Sequence, residues 1–600
     1  MWLPLALFLV ALAVRGLTAA VFGDPAYPDS FYYVNLARGL ADGNGLQVDY
    51  IWNFVDVGGR LPAEGLLPIP SNAHWMPLAA LIQVPFIWLL GPTTLASGLP
   101  FWLAAALTAP LTWAIGRDAG LSRRTSAVGG LLVAIPGAAS PFLAQPDNFG
   151  LFMLLGALSL WAGARGIRGD RRWFVLGGLL VGLATLSRND GVLLGAPFAL
   201  AFLADLVRRR RSGSDRLESL RNPEPLRIGW RAALLCAGAF LLVTAPWWLR
   251  QMHEFGTLSP SSASGRILFI NEYRELYSVS SQTTLESFLA QGPASLLSSR
   301  VAGLGAALGT FAAVPLLITM APFVIVGAWS RRRDSAFLPW ILYAAILFAF
   351  SALVFAVHVP QGTFLHSSVA LLPHAYLLGL VGIERTVRVV AARRSGWDPE
   401  RASRGFAAIA VGTMLLGAVG ASVLTTRSWA ADQAVRKGMS VALADVPSSD
   451  RLASPDAGAY RYHAGRAGIV TPDDPLIVIE TALRTYDVRW LILERAHIVE
   501  SLVPVMKGDV RPTWLSAPVF ILPSPAQVEG TAPVPRAVLY AVCLQLDDTR
   551  CHTDRPRRTT VWRHEGKNGP EHDLYSAVME TGTVDEPSAD TLYAEAEVVP

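Results

Sequence analysis

Charged residues are scarce in this sequence. Only 16% of its 600 residues are charged, whereas 52% are hydrophobic. This balance excludes an ordinary soluble protein, in which about 25% of residues are charged. Lysine occurs only at Lys437, Lys507 and Lys567, so arginine supplies nearly all of the positive charge. No repeat of solenoid length is visible, which argues against a repeat architecture.

Cysteine is also rare, with three residues in the chain. Cys236 lies inside an apolar run and is expected to be core. Cys543 and Cys551 lie in a C-terminal region that we predict to be exported, where a disulfide bond can persist. Two independent free thiols remain the alternative.

The apolar residues fall into blocks of about 17–22, long enough to cross a bilayer core as helices. We therefore predict a polytopic α-helical membrane protein. It has about eleven transmembrane helices, near residues 2–22, 95–115, 126–143, 149–165, 173–187, 190–207, 229–249, 302–328, 336–357, 369–389 and 405–424.

Arginine placement predicts the orientation, because positively charged loops stay in the cytoplasm. The formal net charge of +4 is concentrated in these loops, so we expect no nucleic-acid partner. Five connections between spans carry clusters of arginine and are predicted to face the cytoplasm. The arginines are Arg117, Arg123 and Arg124; Arg165, Arg168, Arg171 and Arg172; Arg208 to Arg211; Arg331 to Arg333; and Arg385, Arg388, Arg393 and Arg394.

The same rule places residues His74 to Leu90 outside. Counting them as a span would invert several later loops, so we predict an amphipathic helix on the outer membrane surface. The first apolar run resembles a cleaved signal peptide at Thr18-Ala19-Ala20, but it lacks a basic start and is predicted to be a span. The chain then begins inside and ends outside.

Three regions follow from this topology. Residues 1–424 form a transmembrane domain with outer loops at 23–94 and 250–301. Residues 425–565 form a small extracytoplasmic α/β domain, with strands predicted at 475–480, 488–494 and 538–544. Residues 566–600 are polar and acidic, which is typical of a disordered tail.

A carboxylate and several aromatic rings follow the first span, in Tyr27-Pro28-Asp29-Ser30-Phe31-Tyr32-Tyr33. Asp29 can serve as a general base at the water–lipid boundary. It can equally cap the helix that starts here, since acidic residues favour helix N-termini. Asp24 is the nearby competitor.

An acidic residue after the first span, followed by aromatics and Ala37-Arg38-Gly39, resembles the GT-C superfamily of membrane glycosyltransferases. The similarity is to the branch of the protein O-mannosyltransferases and lipid A aminoarabinose transferases, glycosyltransferase families 39 and 83. The resemblance implies catalysis by Asp29, with Tyr32 and Tyr33 beside the donor. Ser30 stands where many relatives carry a second acid.

Two further segments resemble this superfamily. His74-Trp75-Met76-Pro77-Leu78 matches a juxtamembrane helix whose basic residue approaches the donor phosphate. Leu186-Ser187-Arg188-Asn189-Asp190-Gly191 matches an arginine-containing outer turn. The alternatives are an interfacial helix start for His74, and a structural clamp between Arg188 and Asp190.

Other polar residues are weaker candidates. Asp147 precedes the fourth span, where relatives often carry a second acid; Asp147 and Asp190 are candidates to contact the acceptor, and a plain helix cap is the alternative for Asp147. Arg266 is a further candidate for the donor phosphate. The eight-residue spacing of His358, His366 and His374 does not build a compact metal tripod, so polar contacts are expected there.

The resemblance implies transfer of a sugar from a polyprenyl-phosphate donor to a hydroxyl of a glycan, lipid or protein, at the outer face of the bacterial cytoplasmic membrane. No glycine-rich phosphate loop supports a soluble nucleotide-sugar donor. We predict no cofactor and assign no residue as a metal ligand, while a dependence on metal stays open; we expect membrane lipid as the surroundings. The rivals are a lipid or glycan transporter or flippase, and a catalytically inactive relative.

Overall fold

The structure, a computed structural model, describes residues 2–212, 228–258, 263–281, 283–394, 396–523 and 535–544. The chain forms two compact units. The first comprises Met1–Leu46, Asn72–Tyr273 and Leu285–Ser428, and the second comprises Gln47–Ser71, Arg274–Thr284 and Trp429–Pro600. The second unit thus includes two segments that lie in predicted outer loops.

The first unit is helical. Its helices are α1 (Trp2–Val21), α2 (Pro28–Ala41), α3 (Leu78–Leu81), α4 (Val84–Leu90), α5 (Thr94–Asp118), α6 (Arg123–Ala134), α7 (Phe149–Ile167), α8 (Arg172–Ser187), α9 (Ala196–Ser212), α10 (Trp230–Phe255), α11 (Ser264–Ile267), α12 (Leu285–Ala290), α13 (Gly292–Ala313), α14 (Ala321–Ser330), α15 (Leu338–Leu353), α16 (Thr363–Ser368), α17 (Leu372–Ala391) and α18 (Pro399–Ala442), whose residues from Trp429 onward belong to the second unit.

In the described part of the chain, eight helices are long and apolar enough to cross a membrane, and a bent pair, Arg123–Ala134 with Gly137–Ala144, makes up to nine. These helices establish a multi-pass membrane protein. Four apolar helices are shorter, at Leu78–Leu90, Arg172–Ser187, Ala321–Ser330 and Leu338–Leu353. The predicted number of about eleven spans depends on how these shorter helices are counted.

The single span predicted at 302–328 is divided between α13 and α14. Pro315 and Pro322 lie at the break, where proline removes backbone donors that a continuous helix needs. The carbonyl of Pro315 accepts a hydrogen bond from the Tyr376 hydroxyl at 2.7 Å, and that of Val314 accepts one from the Ala138 nitrogen at 3.0 Å. Neighbouring segments thus satisfy the carbonyls that the break releases.

Two predicted boundaries also move. The helix predicted from His74 begins only at Leu78 and is divided into α3 and α4, with Pro77 as the residue that caps α3. The loop predicted at 250–301 is shorter, because α10 continues to Phe255 and α13 begins at Gly292.

Arg15 is fully buried in α1, although it lies in an apolar span. Its Nη2 donates to the carbonyls of Val133 (3.3 Å) and Ala134 (3.0 Å) at the end of α6. The guanidinium therefore satisfies carbonyls at the point where the bent pair breaks. A buried charge at membrane depth is expected to have such partners.

The second unit contains a mixed sheet. Its strands are β2 (Tyr50–Ile51), β4 (Arg451–Ser454), β5 (Gly468–Val470), β6 (Val488–Glu494), β7 (Leu515–Leu522) and β8 (Ala537–Val542), and a separate pair is formed by β1 (Gln47–Val48) and β3 (Ile69–Pro70). The order is β2-β5-β4-β6-β8-β7, with the first four strands parallel and the last two pairings antiparallel. Three helices accompany it: α19 (Ala457–Ala464), α20 (Leu476–Thr485) and α21 (Val503–Lys507).

The strands predicted at 488–494 and 538–544 are confirmed as β6 and β8. The strand predicted at 475–480 is wrong, because these residues begin α20. Ile479, Ala482 and Leu483 are buried at helical spacing, and this burial outweighs the strand preference of the local β-branched run. Cys543 is buried and disulfide-bonded. Its predicted partner Cys551, like the predicted tail at 566–600, lies outside the described residues.

Candidate active site

Asp29 lies in the first turn of α2, soon after the first candidate span. Its side chain is 25% exposed. The preceding turn is held by Ser30, whose Oγ accepts hydrogen bonds from the nitrogens of Ala26 (2.9 Å) and Tyr27 (3.1 Å) and donates to the Tyr27 carbonyl (2.8 Å). The residue that replaces a second acid thus stabilises the turn. Tyr27 is the capping residue, so the alternative of Asp29 as the cap is wrong.

Three side chains from separate segments meet at one point: Asp29, Asp147 and His366. The Nε2 of His366 lies 2.9 Å from Asp147 Oδ2 and 3.6 Å from Asp29 Oδ2. The other ring nitrogen, Nδ1, lies 3.2 Å from the Gly362 carbonyl, which orients the imidazole. The structure therefore places one imidazole between two carboxylates. We call these three residues the acidic cluster.

Asp147 is the inner carboxylate of the cluster and is fully buried. Its Oδ2 accepts a hydrogen bond from the Tyr27 hydroxyl at 2.9 Å, and its Oδ1 accepts one from the Asn148 nitrogen. The Asn148 amide also donates to the Tyr33 hydroxyl at 3.1 Å. Since buried carboxylates need such donors, Asp147 is held in place by its neighbours. Asp29 is the more accessible acid.

Burial raises the pKa of the Asp29 carboxyl from 3.8 to about 6. The Asp147 carboxylate adds to this rise, whereas His366, Arg188 and a hydrogen bond from the Trp75 side chain oppose it. A carboxyl with this pKa is mostly ionised at neutral pH and is also a stronger base than an exposed aspartate. Both properties are required of a general base.

Arg188 lies in the polar turn between α8 and α9. Its Nε donates to Asp190 Oδ1 at 3.0 Å, and its Nη2 donates to Ser367 Oγ at 3.2 Å and approaches the Thr363 carbonyl at 3.5 Å. Ser367 in turn donates to Asp190 Oδ2. The clamp between Arg188 and Asp190 is therefore present. It fixes the guanidinium beside α16, the helix that carries His366.

His74 lies just before α3 and is joined to the same turn, since the Asn189 amide donates to the His74 carbonyl at 3.1 Å. Burial, and next the neighbouring His358 and Arg188, lower the pKa of His74 to about 3. His74 is therefore neutral at physiological pH. It offers hydrogen bonds, whereas the predicted role required a basic residue.

The other histidines do not join His366. His358 Nε2 lies 3.2 Å from the Ile267 carbonyl, and burial lowers the pKa of His358 to about 4. His374 is buried with its ring edge-on to Phe337. His358 and His374 thus have separate partners, and a contact of His358 with substrate stays a prediction.

Arg266 lies in α11, beside the segment that carries His74. The nitrogen of Ala263 donates to the carbonyl of Ala73 at 2.9 Å. The Arg266 side chain itself is exposed. Its predicted contact with a donor phosphate stays a prediction.

Tyr32 and Tyr33 are almost completely buried. The Tyr32 hydroxyl accepts a hydrogen bond from the Asn72 nitrogen at 2.6 Å, and its ring lies 4.4 Å from the Trp75 ring, centre to centre. Burial, followed by the two nearby aspartates, raises the pKa of Tyr33 well above its ordinary value. Tyr33 is thus a neutral group, and Tyr32 positions α2 against Trp75.

The acidic cluster also has the composition of a metal site. Its two carboxylates and one imidazole each offer a ligand atom, and these atoms lie within 4.8 Å of one another. Divalent transition metals accept such mixed oxygen and nitrogen ligands. Sequence spacing did not indicate this group, because its members come from three distant segments.

Sequence reasoning missed three supporting residues: Tyr27, Trp75 and Ser367. Tyr27 and Trp75 lie in the same sequence motifs as Asp29 and His74. Their closeness in sequence to these two candidates could have indicated a supporting role. Ser367 follows His366 directly, but nothing local indicates that its hydroxyl contacts Arg188 and Asp190.

The sequence profile of a family described as "Dolichyl-phosphate-mannose-protein mannosyltransferase" matches residues 73–218. This range includes Asp147, Arg188 and Asp190. A comparison with curated proteins finds no match to this chain.

Solved structures extend the comparison along the chain. ArnT from Cupriavidus metallidurans, bound to undecaprenyl phosphate, matches with a TM-score of 0.50 and 13% identity over 90% of this chain and 97% of that chain. The chain has the GT-C fold. The apo state of the same protein matches equally, over 98% of its length. The oligosaccharyltransferase of Archaeoglobus fulgidus matches at 13% identity over 82% of this chain and 69% of that chain, with a TM-score of 0.47.

The resemblance to the GT-C superfamily, predicted from three short motifs, is therefore confirmed. The profile match and the fold together support a membrane glycosyltransferase. At 13% identity the match to ArnT establishes the fold alone. The donor and the roles of single residues must be argued from this chain.

Proposed function

We propose that this protein transfers a sugar from a polyprenyl-phosphate donor to an acceptor hydroxyl, with Asp29 as the general base. The observation that carries the proposal is the acidic cluster: a partly exposed Asp29 with a pKa of about 6, next to the buried pair of Asp147 and His366. The undecaprenyl phosphate bound by ArnT supports a donor of this class.

In the proposed reaction, Asp29 accepts the proton of the acceptor hydroxyl while that oxygen attacks the anomeric carbon. The bond between this carbon and the phosphate oxygen breaks, and the electron pair leaves with the phosphate. Attack opposite the leaving group inverts the anomeric centre. His366 and Asp147 orient Asp29 and adjust its pKa, while Tyr27 and Asn148 fix Asp147.

We assign the donor phosphate to Arg188, with His74 as a neutral hydrogen-bond donor and Arg266 as a further candidate. The clamp with Asp190 uses the Nε of Arg188, and Ser367 and Thr363 lie next to Nη2. Within the described residues no hydrogen bond is formed by Nη1. The clamp and the phosphate contact are therefore compatible, since a guanidinium has five donors in a fixed fork.

A lipid-borne donor suits a site next to the first span, because the polyprenyl tail remains in the bilayer while its sugar phosphate reaches Asp29. We place the site on the outer face of a bacterial cytoplasmic membrane, with residues 1–424 as the catalytic region and 425–565 as an extracytoplasmic domain. The acceptor is a hydroxyl on a glycan, lipid or protein, in the vicinity of Asp29 and Asp147.

The deciding experiment is mass spectrometry of cell-envelope glycans, lipids and glycoproteins from cells with the gene, without it, and with an Asp29→Asn copy. Loss of one glycosylated product in both the deletion strain and the Asp29→Asn strain would support transfer. A deletion that mislocates an unchanged product would point to a transporter, and a normal product from the Asp29→Asn copy would remove Asp29 as the base.

A further inference from the structure

A groove of about 720 Å³ lies between α14 and α17, outside the acidic cluster and its neighbours. It lies in the size range of small-ligand sites, about 300–1,000 Å³. Its lining combines apolar side chains with charged ones. Four arginines take part: Arg331 and Arg332, which directly follow α14, and Arg385 and Arg388, which lie on α17.

The charge of this groove is strongly positive. Glu384 is the carboxylate in its lining, and it accepts a hydrogen bond from the Thr125 hydroxyl at 2.8 Å. Arg388 lies 3.8 Å from Glu384, and Arg331 is paired with Asp334 at 3.0 Å. Arg385 is exposed and makes no ion pair within the described residues. Guanidinium groups at this density favour an anionic ligand, and phosphate above all.

The other side of the groove is apolar and open. Ile325 and Trp329 are 70% and 69% exposed, and they lie one turn apart on the same face of α14. The Arg332 guanidinium lies 4.4 Å from the centre of the Trp329 ring. Tryptophan at the end of an apolar helix is typical of the membrane interface. The ligand must therefore combine an anionic head with an apolar body.

The two helices that form the groove are in very close contact. A Cβ atom added to Gly327 would lie 1.9 Å from the Leu378 carbonyl oxygen, and one added to Gly382 would lie 1.9 Å from that of Phe323. Such backbone-to-backbone contact through glycine is typical of membrane helices and holds the pair rigidly. The groove is therefore preformed, so binding does not require the helices to rearrange.

We propose that this groove binds an anionic phospholipid. Its phosphate lies among Arg331, Arg332, Arg385 and Arg388, and its acyl chains lie along Ile325 and Trp329. The site is independent of the proposed sugar transfer. With the predicted topology, it faces the cytoplasmic leaflet, whose anionic lipids are attracted to arginines at the ends of spans.

The test uses the full-length protein in neutral detergent and counts retained lipid by native mass spectrometry after addition of phosphatidylglycerol. The groove variant is Arg385→Gln with Arg388→Gln. Its matched control is Arg393→Gln with Arg394→Gln, which removes the same charge from the same predicted loop outside the groove. We expect the groove variant to bind phosphatidylglycerol about tenfold or more weakly, as loss of charge-assisted hydrogen bonds implies. The control should bind like wild type.

Further arms identify the ligand. Phosphatidylcholine should be retained much less than phosphatidylglycerol, and inorganic phosphate should not compete at equal concentration, because it lacks the apolar body. Trp329→Ala should weaken lipid retention while the protein remains folded, since the ring is exposed. If the double variant fails to fold, the single variant Arg385→Gln replaces it in the binding measurement.

Three results would overturn the proposal. If the groove variant and its control lose phosphatidylglycerol binding equally, the loss reflects the net charge of the protein and not the groove. Equal retention of phosphatidylcholine would remove recognition of the headgroup. Full competition by inorganic phosphate would make the groove a soluble-anion site.

Discussion

His366 Nε2 lies 2.9 Å from Asp147 Oδ2, although the two residues are 219 positions apart in the chain. Asp147 is fully buried, and His366 is stacked on Phe149 with ring centres 3.8 Å apart. This pair lies directly next to Asp29. The environment of the proposed base is therefore set by residues from three different segments of the first unit.

Asp29→Asn should retain the fold and lose most of the transfer activity. Asparagine keeps the shape of the side chain but cannot accept the proton, and loss of a general base costs about 10²–10⁴-fold in rate. Single-turnover rates with a polyprenyl-phosphate sugar would measure this loss. Asp24→Asn is the matched control, since Asp24 lies in the same outer segment. Full activity of the Asp29→Asn enzyme would move the base to another residue.

The same variant has a predicted stability signature. The pKa of Asp29 is raised on folding, so the folded state holds this proton more tightly than the unfolded state. Its ionisation therefore lowers stability as pH rises from about 4 to about 6 and above. Asp29→Asn should raise the melting temperature at pH 7.5 relative to wild type, and this gain should shrink at pH 4.5. A variant that is destabilised at pH 7.5 would contradict the assigned pKa.

His366→Gln should shift the pH dependence of the reaction. Transfer by wild type should fall as pH drops through about 6, because protonation removes the base. His366 lowers the pKa of Asp29, so its loss should move this acid limb to higher pH. Rates between pH 5 and 8 would show the shift. His253→Gln is the control, because the His253 side chain is 82% exposed and pairs with Glu254. If the variant has a lower rate but its rate falls at the same pH as that of wild type, His366 has a structural role only.

The sequence predicts the main residues of the candidate site but not their arrangement. Asp29, Asp147 and Arg188 were found because each interrupts or borders an apolar run. His366 was expected only to make polar contacts, since no local pattern links it to an acid in a distant loop. Long-range packing alone brings them together.

The limits for the fold have a similar cause. Apolar runs indicate where helices cross, but the break between α13 and α14 depends on Tyr376 and Ala138, which satisfy its released carbonyls. The segment 475–480 has strand-forming residues, yet burial of Ile479 and Leu483 on one face makes it a helix. In both cases tertiary contacts decide what local preference leaves open.

Arg188 should affect use of the donor more than use of the acceptor. Lysine keeps the charge but loses the planar fork, so Arg188→Lys should raise the KM for the donor and Arg188→Ala should raise it further. Asp190→Asn is the matched variant, because it breaks the clamp and keeps the guanidinium. If Arg188 acts only through the clamp, Asp190→Asn should reproduce Arg188→Ala in both activity and melting temperature. Measuring the two quantities on the same purified variants separates these outcomes.

Reporter fusions after residue 212 and after residue 440 should report opposite sides of the membrane. Five spans are predicted between these points, and an odd number of crossings puts the two reporters on opposite sides. One of these spans is divided into α13 and α14, and two separate crossings there would make the number even. Gly303 of α13 packs against Ala356, just beyond α15, whereas the end of α14 lies beside Arg385 of α17. Moreover, α14 has ten residues, or about 15 Å of helix, which is half the thickness of a bilayer core of about 30 Å. We therefore predict that α13 and α14 together make one interrupted crossing, which keeps the number of crossings odd. Reporters on the same side would mean that α13 and α14 cross separately, which would put His366 on the opposite side of the membrane from Asp29 and Asp147 and contradict the acidic cluster.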